Sequence, residues 1–129
     1  MSILISVVAD VRPFLGLRYE PNVVGSLSNV LCPPYDIIPE ALQKELHLKS
    51  PYNAVRLERG MASEGDGPVS NLYTRAAEFY TTWRQQGILV RDHSFTYYLH
   101  RHQFSDGRGK TMERWGIGAR VRLEEFERE

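Results

Sequence analysis

The chain has 129 residues, 42% of them apolar, with sixteen basic side chains balanced by sixteen acidic ones. That length can bury a core without metals or disulfides, and zero net charge provides no global field for a polyanion, so nucleic acid is not expected as a partner and any anion site has to be local. One cysteine excludes an internal disulfide, and no apolar run approaches the roughly 20 residues a membrane-spanning helix requires.

Ile3 to Ala9 are aliphatic or β-branched on both parities, which predicts a strand covered on both faces and broken by the "RPF" of Arg12 to Phe14. The N-terminus lacks the basic start and cleavage pattern of a secretory signal, so a reducing cytoplasm is expected. Gly16 to Tyr19 reads as a second extended piece. "PNVVGSLSNVL" reads as a loop that becomes extended near Val30. Pro39 is placed as the first residue of a helix over "PEALQKELHLKS", with Leu42 and Leu46 on one face and Glu40 four residues before Lys44. "NAVRLER" alternates and predicts a short strand on which Ala54, Arg56 and Glu58 share a face, where an ion pair can form.

Gly60 to Ser70 is rich in glycine and acid without periodicity, a surface loop. A helix is predicted from Ser70 to Gln86, its stripe of Leu72, Ala76, Phe79 and Trp83 widened by Tyr73, Ala77 and Tyr80, with Gly87 as its terminator. "SFTYYLHRHQF" and "TMERWGIGARVRLEEF" flank "SDGRG" as a hairpin. Pairing Phe104 with Lys110 would set Glu113 opposite Arg101, Trp115 opposite Leu99 and Ile117 opposite Tyr97, an apolar block toward the core. The other face would set His100 against Arg114 and Ser94 beside Arg120, over a floor of Gly116 and Gly118 that either takes a small anion or relieves crowding beneath Tyr98 and Thr96, or marks a bulge. These elements predict one α+β domain over 1–129, with a mixed or mainly antiparallel sheet, two main helices and a C-terminal hairpin.

Chemistry concentrates at "CPPYD". Pro33 and Pro34 fix the backbone and present Tyr35 and Asp36 just ahead of a helix start. Asp36 there suits a general base or metal ligand and Tyr35 a substrate contact; the competing reading is that Asp36 caps the turn and Tyr35 is half-buried scaffold. Arg12 can bring a guanidinium fork to phosphate or carboxylate, the competing reading being a surface ion pair, and Asn53 and Arg56 complete the candidate corner. His100 and His102 share a strand face but lack a third ligand, so no metal site is assigned. Cys32 reads as a small buried hydrophobe.

With "RPFLGLRY", "CPPYDII", "SPYNAVRLE", "GILVRDHSFTYYLHRHQF" and "GIGARVRLEEFE" in this order, the chain resembles the N-terminal part of the family catalogued as domain of unknown function one thousand and fifteen. Members of that family continue past a segment like "LEEFE" into a His-Glu motif. The resemblance therefore implies an N-terminal fragment whose partner is its own C-terminal region and which is not competent alone. Members are encoded near serine-biosynthesis enzymes, and a distant similarity to the ParB and sulfiredoxin fold, which includes nucleotide-dependent kinases of free serine, implies phosphoryl transfer on a small phosphorylated or amino-acid-like substrate. A nucleotide and Mg²⁺ are the cofactors such a reaction would use. The alternative is a non-catalytic ligand- or nucleic-acid-binding module.

Overall fold

The computed structural model describes residues 9–123, so the strand expected over Ile3 to Ala9 falls, apart from Ala9, outside the described residues. The class is α+β with antiparallel strands, arranged among these residues as three two-stranded sheets. The chain divides into two compact units, one running from Leu17 to Arg91 and the other formed by the residues up to Gly16 together with those from Asp92 onward.

The Leu17–Arg91 unit begins with β2 (Leu17–Tyr19), the strand after β1 (Val11–Arg12), and ends with β3 (Leu89–Arg91). β2 and β3 pair antiparallel, with Leu17 opposite Arg91 and Tyr19 opposite Leu89. Between them run α1 (Pro21–Val24), α2 (Glu40–Lys49), α3 (Val55–Glu58) and α4 (Leu72–Gln85). α2 starts one residue later than expected, since Pro39 precedes it and accepts from the Gln43 N–H at 2.9 Å. Glu40 and Lys44 pair at 2.6 Å as their spacing requires.

Two readings are corrected here. Val30 is not extended: it closes a 3₁₀ turn over Leu27–Asn29 with φ −109° and ψ −11°, and it is fully buried. "NAVRLER" is not a strand but contains α3, because the Asn53 Oδ1 accepts the Val55 N–H at 3.0 Å and starts a helical turn that the Arg59 N–H closes onto the Val55 carbonyl at 2.8 Å. Four alternating residues fit either period, and an Asx turn decides between them.

α4 has the ends its sequence specifies. Asn71 accepts from the Tyr73 and Thr74 N–H groups while Thr74 Oγ1 accepts from the Asn71 N–H, a reciprocal capping box. At the other end Gly87 has φ 70°, and the Ile88 and Gly87 N–H groups reach back to the carbonyls of Trp83 and Arg84, a Schellman closure with Ile88 buried beneath it. Trp83 is buried against the rings of Tyr19, Tyr52 and Phe79, whereas Tyr73 on the flank of the expected stripe is exposed. The Gly60–Ser70 loop is pinned by Asp66, whose carboxylate receives both terminal nitrogens of Arg75 at 2.5 and 3.0 Å. A second cluster joins Ile38, Leu46 and Val55 with Cys32 and Leu42.

In the other unit, β1 pairs antiparallel with β6 (Arg120–Val121), and β4 (Tyr98–Ser105) with β5 (Thr111–Gly118). The hairpin exists, but its register is two residues from the expected one: Ser105 faces Thr111, Arg101 faces Trp115 and Leu99 faces Ile117. The turn explains the difference. Asp106 Oδ1 accepts the Arg108 and Lys110 N–H groups, its backbone N–H donates to the Lys110 carbonyl at 2.9 Å, and Gly109 supplies φ 79°, so the tight loop lies one residue later than "SDGRG". A shift of two preserves which side chains share a face. The Arg101–Glu113 ion pair survives as a diagonal contact of 2.9 Å, with Arg101 also over the Trp115 ring. The apolar block of Leu99, Trp115 and Ile117 is exposed rather than core-facing, and among the described residues every fully buried apolar side chain belongs to the Leu17–Arg91 unit.

What closes this unit is largely polar. Phe14 and Thr96 exchange backbone hydrogen bonds of 3.1 and 3.2 Å, and the Tyr98 hydroxyl accepts the Gly16 N–H at 2.6 Å while donating to Asp92. A Cβ at Gly16 would run into the Tyr98 hydroxyl and ring, so the close approach requires glycine. Tyr98→Phe should lower stability by about 1–3 kcal/mol, because it strips the buried Gly16 N–H of its acceptor and Asp92 of a donor. Urea denaturation would measure this, and an unchanged midpoint would show that the Tyr98 hydroxyl contributes nothing to the closure.

Candidate functional site

The proline corner is a built structure, and Asn53 builds it. Its amide nitrogen donates to the carbonyls of Asn29 and Leu31 at 2.8 and 3.2 Å, and the adjacent Ala54 N–H donates to the Val30 carbonyl at 2.7 Å. Three consecutive carbonyls ahead of the prolines are thus held by two residues, and Asn53 has no exposed surface left. Both polar atoms of the Asn53 side chain serve the backbone, a clamp rather than the substrate contact expected from the sequence.

Tyr35 and Asp36 sit in a 3₁₀ turn, Tyr35–Ile37, with Arg59 Nη1 donating to the Tyr35 carbonyl at 3.1 Å. The Tyr35 side chain is 62% exposed, so it is not half-buried scaffold. Asp36 is exposed and does not cap the turn, and no hydrogen-bond or ion-pair partner holds its carboxylate among the described residues. Cys32 is half-buried, and burial first, then the Glu58 charge, push its thiol pKa up, which makes it a poor nucleophile.

Arg56 and Glu58 do not pair, since a helix turns them to different sides. Arg56 instead donates from Nη2 to the His47 carbonyl at 2.8 Å and lies over the Phe79 ring at 5.5 Å. Arg12 belongs to the other unit and does not share a compact unit with Tyr35, Asp36, Asn53 and Arg56.

The structure instead brings Arg12 together with Arg120. They are directly opposite in the β1–β6 ladder. With Asp10, Val121 and Arg122 they line a cleft of about 340 Å³. Arg12 grips Asp10 through Nε and Nη2 at 2.7 and 2.8 Å. That hydrogen-bonded pair holds the Asp10 carboxyl below its ordinary range and raises Arg12. Among the described residues Asp10 is the carboxylate lining the cleft, and it is paired with Arg12.

His100, Arg114 and Arg120 do not converge on one rung. His100 faces Gly116, Arg114 faces His102, and Arg120 faces Arg12. The ring of His102 lies between His100 and Phe104, at 6.0 and 5.5 Å, with the Arg114 guanidinium over Phe104 at 5.7 Å. No group of three His, Cys, Asp or Glu side chains is placed to hold a metal ion, and no helix is long and apolar enough to cross a membrane, among the described residues.

Sequence reasoning missed Asp10, while Arg122 reads from the sequence only with Arg114 and Arg120, as a stripe able to contact nucleic-acid phosphates. The alternation of "RVR" at 120–122 carried a signal, since it puts Arg120 and Arg122 on one parity. Their meeting with Arg12 required the β1–β6 pairing, which nothing local announces.

Fold and site together define an α+β protein with guanidinium-lined clefts. The chain belongs to the DUF1015 family, described as proteins of unknown function, whose family model matches residues 11–129. No curated protein and no solved structure matches it.

Proposed function

We propose that this protein binds a small phosphorylated substrate in the Arg12–Arg120–Arg122 cleft, as the substrate-binding part of a phosphoryl-transfer enzyme. The observation that supports the reading is the direct opposition of Arg12 and Arg120. Like charges on facing strand positions repel, and among the described residues Asp10 is the single acid lining a cleft with three guanidinium groups. A dianionic phosphate relieves that repulsion and matches the donor forks. The cleft volume of about 340 Å³ fits a ligand of phosphoserine size.

Titration calorimetry with phosphoserine should show saturable binding that weakens at least about tenfold in Arg120→Gln, the loss of one charge-assisted contact. Arg101→Gln, on the hairpin outside the cleft, should leave affinity unchanged. Asp10→Asn should tighten binding by freeing the Arg12 fork. Absence of saturable binding, or equal losses in Arg101→Gln and Arg120→Gln, would overturn the reading.

A second reading, contact with a single-stranded nucleic acid, is favoured by the His100–His102–Phe104 ring series beside Arg114, which offers stacking faces and a cation. It predicts affinity that falls steeply with salt and is lost in Phe104→Ala.

A further inference from the structure

We propose that the Leu17–Arg91 unit contains a second and separate anion site, a pocket between α2, α3 and α4 in which Arg56 receives a single phosphate- or carboxylate-sized ion. The pocket holds about 160 Å³ and is lined by His47, Arg56, Met61, Leu72, Arg75 and Phe79 among others. The two arginines differ in a telling way. Arg75 is satisfied, since Asp66 takes both its terminal nitrogens and the Met61 carbonyl takes a further bond at 2.7 Å. Arg56 is not. Its Nη2 reaches the His47 carbonyl, yet its Nε is buried and meets no protein acceptor, and no carboxylate pairs with it among the described residues.

A buried N–H on a cationic group that lacks an acceptor is costly, and native structures supply a partner to nearly all such groups. Burial, with the neighbouring Arg56 charge adding to it, lowers the His47 pKa despite its contact with the Arg59 carbonyl, so the imidazole adds no charge near neutral pH. Among the described residues the pocket therefore carries one uncompensated positive charge, beside the half-buried apolar side chains of Leu72, Phe79 and Met61, whose low polarity strengthens an ionic contact. A water molecule would satisfy the N–H but leave the charge, whereas an anion answers both. The volume excludes a nucleotide and admits an ion with a few non-hydrogen atoms. Its ligand is therefore smaller than the one assigned to the arginine cleft.

The test is a titration of ¹⁵N-labelled protein with inorganic phosphate and, separately, acetate, following the Arg56 Nε–H resonance. Saturable movement of that resonance is expected, and it should persist in Arg120→Gln, which separates this site from the cleft. Arg56→Lys keeps the charge but removes the fork, and should weaken the phosphate-induced shift of neighbouring Phe79 and Leu72 resonances at least about tenfold. Should Arg56→Lys fail to fold, the titration of the unsubstituted protein still decides. An Arg56 Nε–H resonance indifferent to both ions would overturn the proposal and leave a water as the partner. So would movement abolished by Arg120→Gln, because it would assign the ion to the cleft.

Discussion

Asn53→Leu should destabilise the protein by about 3–5 kcal/mol, because it strips two backbone carbonyls and one buried N–H of their partners at a fully enclosed position. The residue is close in size, so the loss reports hydrogen bonding rather than a cavity. Asn53→Asp gives a sharper test. The carboxylate can still accept from Val55, but its other oxygen faces the carbonyls of Asn29 and Leu31, so the charged form is disfavoured and the folded-state pKa of the new acid lies above its unfolded value. A group raised in this way favours folding below its unfolded pKa and loses that contribution as pH rises through the folded one. Relative to the unsubstituted protein, Asn53→Asp should therefore be less destabilised at pH 4.5 than at pH 7, while the deficit of Asn53→Leu stays constant. Urea midpoints at the two pH values would show this. Unchanged stability in Asn53→Leu, together with lost ligand affinity, would return Asn53 to the role of a substrate contact.

Trp83→Ala should cost about 3–5 kcal/mol, the range for removing a large aromatic side chain from a core that cannot collapse around the gap. Trp83 is 2% exposed and meets three rings at centroid distances of 6.2, 6.2 and 5.9 Å, two from the α3 approach and β2 and one from its own helix. Trp115, at 53% exposure on the hairpin, supplies the internal comparison. Its replacement by alanine should cost less than about 1 kcal/mol, because it removes only a surface contact with Arg101 and Glu113. The two tryptophans also separate by fluorescence, Trp83 emitting to the blue and Trp115 to the red. Comparable destabilisation by the two substitutions would contradict the assignment of the core to α4 and its neighbours.

What was legible in the sequence was mainly what local chemistry decides. Asn71 and Gly87 mark the ends of α4 because a cap and a left-handed terminator act within one turn. Strict alternation fixed which hairpin residues share a face, but not the rung on which they meet, since that depended on the Asp106 carboxylate organising a tighter turn. The strand reading of "NAVRLER" failed because a side chain two residues upstream of Val55 supplied the hydrogen bond that alternation could not weigh. The site divides in the same way. "CPPYD" was recognisable as a stiff corner, yet the identity of Asn53 as its clamp rests on contacts 22 and 24 residues away in sequence. Arg12 and Arg120 each stand out separately in the sequence. Their pairing joins strands from opposite ends of the chain and leaves no trace in either neighbourhood.

The pairing of Leu17 with Arg91 bears on the order in which the chain assembles. Seen from the unit that contains β1 and the hairpin, everything from Leu17 to Arg91 is an excursion between Gly16 and Asp92, whose backbones meet through a 2.9 Å hydrogen bond. In an unfolded chain, bringing those two residues together carries the entropic cost of closing a long loop, a cost that rises by about 0.6 kcal/mol for each doubling of loop length. Once β2 and β3 are paired, that loop is already closed, and the ends of the hairpin unit are delivered side by side. The Leu17–Arg91 unit, which contains all the fully buried apolar side chains among the described residues, has the driving force to fold first. The polar closure of Phe14, Gly16 and Tyr98 can then form as a short-range event.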